Sequence, residues 1–466
     1  MSKILLHGAW VVTEREGAQG IIEDGYVGIV DDKIDYVGKS KPADYEDAEF
    51  IDRPYGLIMP GIIDTHYHTD SPLTKGFCED CGSVNFYGSI LYEYLTEIYA
   101  ATTTEDWIAI CNLSFMEFIK GGITTSVEFN SYFPVEMVDL VGAAGIRGYI
   151  APETNTLEKF PYSLDGKNLI IPHKTGPDMF KKLERNVDIL EKYNGAYDDR
   201  VRITLGPTEP PACRPELLRE FRKLADQYHV PITIHAAETM LERDYIKAEY
   251  GKDSILYLAE NGIIGPDVIY AHTVYASEEE KKLMAETGTN VAHCPSVFFT
   301  RGKYMKSFQH YLDLGINVSI GTDTFPQDMI REMRLVTNLS KVAEDDFRVA
   351  RSEEVFKSAN VRGAKALGRD DIGSILPGKK ADIAIVDMND FNTIPARDPV
   401  KVLISCATAH NVTDTICNGR ILMKNKVLLT MDEEKVRREA NAAAKAVWGR
   451  APRLDELAPL SVPVFE

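Results

Sequence analysis

The chain has 466 residues, 44% hydrophobic and 26% charged, with a formal net charge of −19. That length holds a large barrel plus an accessory module, and the apolar fraction is enough for a sizeable buried core. The negative balance argues against a nucleic-acid partner, whose phosphates demand basic patches, and against an anionic membrane surface.

No apolar run approaches the roughly 18–20 residues that span a bilayer. Positions 1–12 lack the order of basic, apolar and small residues that marks a secretory signal, so a cytoplasmic protein is expected. The seven cysteines, Cys78, Cys81, Cys111, Cys213, Cys294, Cys406 and Cys417, are scattered and odd in number, unlike a disulfide framework. Cys78 and Cys81 form a CxxC with no second one nearby and read as reduced thiols in a loop.

Residues 1–57 read as short strands at 4–13, 25–30 and 33–37, with Asp31-Asp32 turning between the last two. From Leu57 onward, short apolar strands alternate with amphipathic stretches. Strands are predicted at 61–65, 124–129, 148–151, 201–205, 232–235, 268–272, 290–293 and 317–322, with helices such as 105–120, 178–193, 215–228 and 278–287 between them. This pattern predicts an α/β fold, a (β/α)₈ TIM barrel over 58–372. Strand-like segments return at 382–387, 402–407 and 415–424, so 1–57 and 373–430 are expected to build a small composite β-sandwich beside the barrel. A last helix is predicted from Thr430, with Glu433 closing a capping box, to about Gly449 within a C-terminal helix and tail at 431–466.

The chemistry gathers at the predicted strand ends, where such barrels carry their active sites. His66 and His68 close strand 1, and their i, i+2 spacing puts both on one face. His235, His272, His293 and Asp323 end strands 5, 6, 7 and 8. A lone histidine on an apolar strand is an ordinary core residue, but five histidines and an aspartate at one rim are not. His66, His68, His235 and Asp323 make a ligand set for one divalent ion with a position open to water. Such an ion makes water a nucleophile near neutral pH, so a hydrolase is expected. His7, His173, His229, His310 and His410 do not share this placement.

The run Met59-Pro60-Gly61-Ile62-Ile63-Asp64-Thr65-His66-Tyr67-His68 resembles the opening signature of the amidohydrolase superfamily. Gly373-Ser374-Ile375-Leu376-Pro377-Gly378-Lys379-Lys380-Ala381-Asp382 resembles its closing signature. His235-Ala236-Ala237-Glu238 and His293-Cys294-Pro295 resemble the branch of triazine hydrolases, guanine deaminase and S-adenosylhomocysteine deaminases. The resemblance covers nearly the whole chain. It implies one ion per subunit, zinc before iron, cobalt or manganese, held by His66, His68, His235 and Asp323. Asp323 would also be the base that takes the water's proton, and His272 would aim the attacking water. Glu238 would deliver a proton to a ring nitrogen or leaving group, which needs a raised carboxyl pKa. Binuclear members carry a bridging lysine at the end of strand 4. Positions 201–210 have none, which favours one metal and leaves Glu209 and Glu153 as the bridging candidates. Homo-oligomerisation is a further family-level expectation.

Two departures bear on the substrate. The branch carries a histidine after strand 4, where this chain has Thr208-Glu209-Pro210-Pro211. The branch continues His-x-Pro-x-Ser-Asn after strand 7, where this chain has Val297 and Phe298 in the Ser-Asn positions. Apolar walls do not partner polar edges, so a compact, less polar small molecule is expected rather than a purine or nucleoside. Phe77, Phe86, Tyr87, Leu91, Tyr92 and Tyr94 cluster after strand 1 and suggest an aromatic wall. The expected substrate contacts are Phe77, Phe86, Tyr87, Tyr92, Asn130, Glu209, His293, Phe298 and Arg301, with Glu128 a further polar anchor and Arg301 suited to a carboxylate. The expected reaction displaces an amino, alkylamino or halide group from a nitrogen heterocycle. Hydrolysis of an acyclic amide, carbamate, thiocarbamate or urea stays open, as does a barrel retained for binding alone.

Overall fold

The structure is a computed structural model that describes residues 2–15, 18–77, 90–158, 163–165 and 168–462. Its centre is built from parallel strands buried on both faces, which is why they read as short continuous apolar runs. Barrel strands 1 (Ile62–Tyr67), 2 (Ile123–Ser131), 3 (Arg147–Pro152) and 4 (Val201–Ile203) form one four-stranded sheet. Barrel strands 5 (Ile232–Ala236), 6 (Val268–His272), 7 (Asn290–His293) and 8 (Asn317–Ile320) form a second. Two bridges join them, Leu205 to Ile232 and Tyr67 to Asp323. At the latter seam His68 N donates to Asp323 O at 2.7 Å and Asp323 N donates to His66 O at 2.8 Å. The eight strands thus close into a ring, and the closing bonds run through the residues predicted to bind metal.

Gly321 makes this seam possible. A Cβ there would lie 2.7 Å from His66 O and 3.0 Å from Cys294 Sγ, so any side chain would push strand 8 off strand 1. Inside the ring, Ile63, Val127, Tyr149, Ile269, Ala271 and Ala292 pack together. Outside it, helices lay one apolar stripe on the strands. In Pro215–Tyr228 the stripe is Leu217, Leu218, Phe221 and Ala225.

The chain ends on either side of the barrel come together in one sheet. Its strands lie in the order Val427–Leu428, Arg420–Lys424, Val412–Cys417, Ile383–Asp387, Glu49–Pro60, Lys3–Arg15, Ala18–Val30, Lys33–Gly38. The segments expected to stack as a β-sandwich are therefore continuous in their hydrogen bonding. The reason is Glu49–Pro60, which pairs parallel to the first strand on one side and antiparallel to Ile383–Asp387 on the other. Arg147 ties this sheet to barrel strand 3. It is fully buried, and its Nε and Nη2 donate to Asp382 at 2.6 and 3.2 Å while Nη2 also reaches Asn418.

Three expectations near the C-terminus need correction. Residues 402–407 are not a strand, because Pro399–Ser405 is a helix with proline in its first turn and Asp398 capping Lys401 N. Residues 415–424 are two strands, because Asn418 (φ 51°) and Gly419 (φ 73°) turn a hairpin between them. The last helix spans Glu433–Arg450 and is capped by Asp432. Thr430 instead donates to Ala144 O, and Glu433 pairs with Lys120.

Candidate active site

His66, His68, His235 and Asp323 converge at the C-terminal mouth of the ring, their ligand atoms all within 4.8 Å of one another. Asp323 Oδ1 lies 3.5 Å from His66 Nε2 and 3.4 Å from His68 Nε2. Strand geometry does part of this work. His66 and His68 share a face, while the intervening Tyr67 points outward onto Phe118. His235 Nδ1 donates to Thr208 O at 3.1 Å, which turns its Nε2 toward the centre. Asp64, fully buried, accepts from His66 N, Thr322 N and Thr322 Oγ1. It thereby fastens the end of strand 1 to the residue before Asp323.

The donors fit a divalent ion of the zinc type. Three imidazoles and one carboxylate are a familiar catalytic set. His66 is completely buried, yet among the described residues neither of its ring nitrogens has a hydrogen-bond partner, an arrangement that burial makes costly unless a ligand satisfies it. Burial pushes His66 down to about 3 and His68 to about 4, and holds His235 and His272 well below the ordinary range. All four are neutral at physiological pH, the form that binds metal.

Around this group the structure brings several predicted residues together. His272 is fully buried, among the described residues neither of its ring nitrogens has a hydrogen-bond partner, and its Nε2 lies 3.7 Å from Asp323 Oδ2. Glu238 is 4% exposed and forms a second close cluster with His235 and His272, again within 4.8 Å. Phe298 packs on His272 at 4.9 Å between ring centroids, in an apolar cluster with Val297 and Cys294. His293 is buried beside this wall, and burial pushes it down to about 3. Glu209 is 7% exposed and follows the Thr208 carbonyl that aims His235. Arg301 lies in the turn after Phe298, its N–H bonded to Phe298 O.

Other expectations resolve differently. Glu128 faces out of the barrel, as strand parity requires once Val127 is an interior residue. It holds Thr69 N at 3.0 Å and Thr69 Oγ1, and burial, then Asp70, pushes its carboxyl well up. Phe77 sits with Trp448 of the C-terminal helix at 5.9 Å. Glu153 is engaged by Lys182 at 2.5 Å. Among the described residues neither Glu153 nor Glu209 joins a metal-type cluster. Phe86, Tyr87, Cys78 and Cys81 lie outside the described residues, as do the side chains of Tyr92 and Asn130. One residue escaped the sequence reading. Phe129 packs edge-on against His235 at 4.4 Å and tilts over His66 at 5.2 Å. The signal was the strand alternation itself, which places Phe129 on the same inward face as Val127.

A family model described as "Amidohydrolase family" matches residues 57–422. The chain belongs to the amidohydrolase family. As a family member it is a hydrolase of carbon–nitrogen bonds. It is 31% identical over 456 residues to a 5-methylthioadenosine/S-adenosylhomocysteine deaminase of Haloarcula marismortui, covering 97% of this amidohydrolase and 100% of the relative. It is 31% identical over 456 residues to a 5'-deoxyadenosine deaminase of Methanosarcina mazei, covering 97% and 99%. Among solved structures, a zinc-bound adenosine deaminase from Xanthomonas campestris matches with a TM-score of 0.85 at 24% identity, covering 96% and 99%. Zinc-bound atrazine chlorohydrolase from Arthrobacter aurescens matches with a TM-score of 0.84 at 24% identity, covering 95% and 100%. At this identity the structures establish the shared fold. Among the described residues no helix is long and apolar enough to cross a membrane.

Proposed function

We propose that this amidohydrolase is a zinc-dependent aminohydrolase that replaces an amino or similar substituent on a nitrogen heterocycle with oxygen from water. The observation that carries the reading is the placement of Glu238, clustered with His235 and His272 at the edge of the His66–His68–His235–Asp323 group. A carboxyl there can pass a proton to a ring nitrogen as the ring is attacked.

One ion held by those four residues would supply an activated water near neutral pH. The chain's own groups do the rest. Asp323 Oδ2 lies near His272 Nε2, so the carboxylate can accept the water's proton while the imidazole holds the water in line. Glu238 gives its proton to the ring nitrogen, Asp323 passes the proton it took from the water to the departing amine, and the new hydroxyl returns a proton to Glu238 as the ring carbonyl forms. Phe129 and Phe298 cover the histidines on two sides and exclude bulk water, which strengthens every charge interaction inside.

The names of the relatives point to adenosine-type substrates, and the chain covers nearly all of their length. Val297 and Phe298, buried where the branch has polar groups, favour a ring with fewer hydrogen-bonding edges on that side. The reading includes a cytoplasmic location, with which the five described cysteines, all free thiols, are in keeping, and a homo-oligomeric assembly. Sedimentation would report its assembly.

The test is a mass-spectrometric turnover screen of zinc-loaded enzyme. Its panel holds adenosine derivatives, amino- and chloro-substituted triazines, pterins and pyrimidines beside small amides and thiocarbamates. Ring compounds should lose their substituent and gain oxygen. Cleavage of only the acyclic compounds would overturn the reading.

A further inference from the structure

We propose that Glu242 is the positioning residue for Glu238, the group that sets where its carboxyl points. The inference rests on the proton-delivering role of Glu238 described above.

Barrel strand 5 ends at Ala236, and two residues later the chain must present Glu238 to the metal group before entering the helix Met240–Tyr250. To do so Ala237 adopts φ +48°, in the left-handed region that residues with a Cβ rarely enter. Something must hold that turn. Glu242, one helical turn on, accepts from Ala237 N through Oε1 and from Glu238 N through Oε2, both at 2.8 Å. The two peptide groups that flank the Ala237 Cα are thus pinned to one carboxylate.

The pin is itself held. Thr239 caps the helix by accepting from Glu242 N at 3.0 Å. From the loop after strand 6, Tyr275 N donates to Ala237 O at 2.9 Å. Capping the helix needs only Thr239. Burying a carboxylate to 3% exposure is costly, and here both of its oxygens are spent on the amides of one turn. That turn carries a functional side chain whose placement must be good to a fraction of an ångström. Glutamine cannot substitute, because its NH₂ would meet one of the two N–H groups that the carboxylate satisfies.

The experiment is a double-mutant cycle on zinc-loaded enzyme, with the ring substrate turned over fastest in the panel. Glu242→Gln should lower kcat about 10–100-fold with KM changed less than about threefold, the scale of losing an outer-shell partner. Zinc content, read by elemental analysis, should stay unchanged. In the Glu238→Gln background the same substitution should cost less than about twofold, because the group it positions is gone. Arg147→Met, which weakens the far end of the barrel, controls for general loosening and should leave kcat in place. If Glu242→Gln does not fold, Glu242→Asp keeps the charge but withdraws it by one methylene, and the same pattern is expected in smaller form. An unchanged kcat in the Glu242 variants overturns the proposal, as does an equal loss with and without Glu238. If Glu238→Gln itself is fully active, the assigned acid fails and the positioning role fails with it. A slow Glu238→Gln beside a normal Glu242→Gln sinks the positioning role alone.

Discussion

The two ends of the barrel bury polar side chains in opposite ways. At the seam with the outer sheet, Arg147 is sealed in, but its Nε and Nη2 are answered by Asp382 and Asn418, and among the described residues only its Nη1 lacks a hydrogen-bond partner. At the strand C-termini, His66 and His272 are just as buried, and none of their ring nitrogens is hydrogen-bonded among the described residues. What sets the strand C-termini apart is the gathering of these imidazoles round one carboxylate, His66 Nε2 at 3.5 Å and His272 Nε2 at 3.7 Å from Asp323, an arrangement that suits a ligand.

The sharpest way to break this comparison is to remove a ligand. His66→Ala or Asp323→Ala should leave zinc well below one per chain. The loss of several kcal/mol of transition-state stabilisation should cut kcat/KM by at least about a thousandfold. Full zinc and full rate in either variant would refute the ligand set. At the other end, Arg147→Met should strip a buried carboxylate of its partner and cost about 3–5 kcal/mol in urea unfolding, while kcat/KM of the folded enzyme moves less than about threefold. Activity loss without stability loss would reverse the assignment of the two ends.

A third prediction concerns pH. His66 and His293 are held down to about 3 by burial, against an ordinary value of 6.5. Between those values the unfolded chain binds protons that the folded chain does not, so stability rises with pH there. Metal-free protein should therefore lose stability as pH falls from about 6.5 toward 3 and be level above that window in thermal melts on this account. Zinc should oppose the loss as far as it stays bound, because it binds the neutral histidines of the folded state. The smallest effect is expected from Phe298→Asn, which puts an amide beside His272. Preference between a nucleoside and a chlorotriazine should shift by roughly 10-fold toward the nucleoside. No shift would show that this wall does not read the substrate.

Much of the site was legible before any coordinates because strand periodicity and barrel topology are both local rules with global consequences. His66 and His68 had to share a face, and residues ending parallel strands had to share a rim. Where local patterns compete, the reading erred. Residues 402–407 are as apolar as a strand, but the Asp398-Pro399 start made them a helix. Thr430 looked like a cap, but Asp432 stood nearer the helix and took the role.

The sequence by itself determined the family signatures, the run of parallel strands and which residues gather at the rim as His66, His68, His235 and Asp323, because each depends on residue type and short-range spacing. The tertiary structure alone decided that Phe129 covers His235, that Glu128 faces away from the pocket, that Thr208 lends His235 a carbonyl and that Glu242 grips the turn bearing Glu238. Except for the Glu242 grip, these contacts join residues from different barrel strands or loops, and the Glu242 grip depends on how the Ala237 turn is held against the loop after strand 6. The orientation of a side chain between neighbouring strands is set by packing and hydrogen-bond satisfaction in three dimensions, which no local pattern encodes.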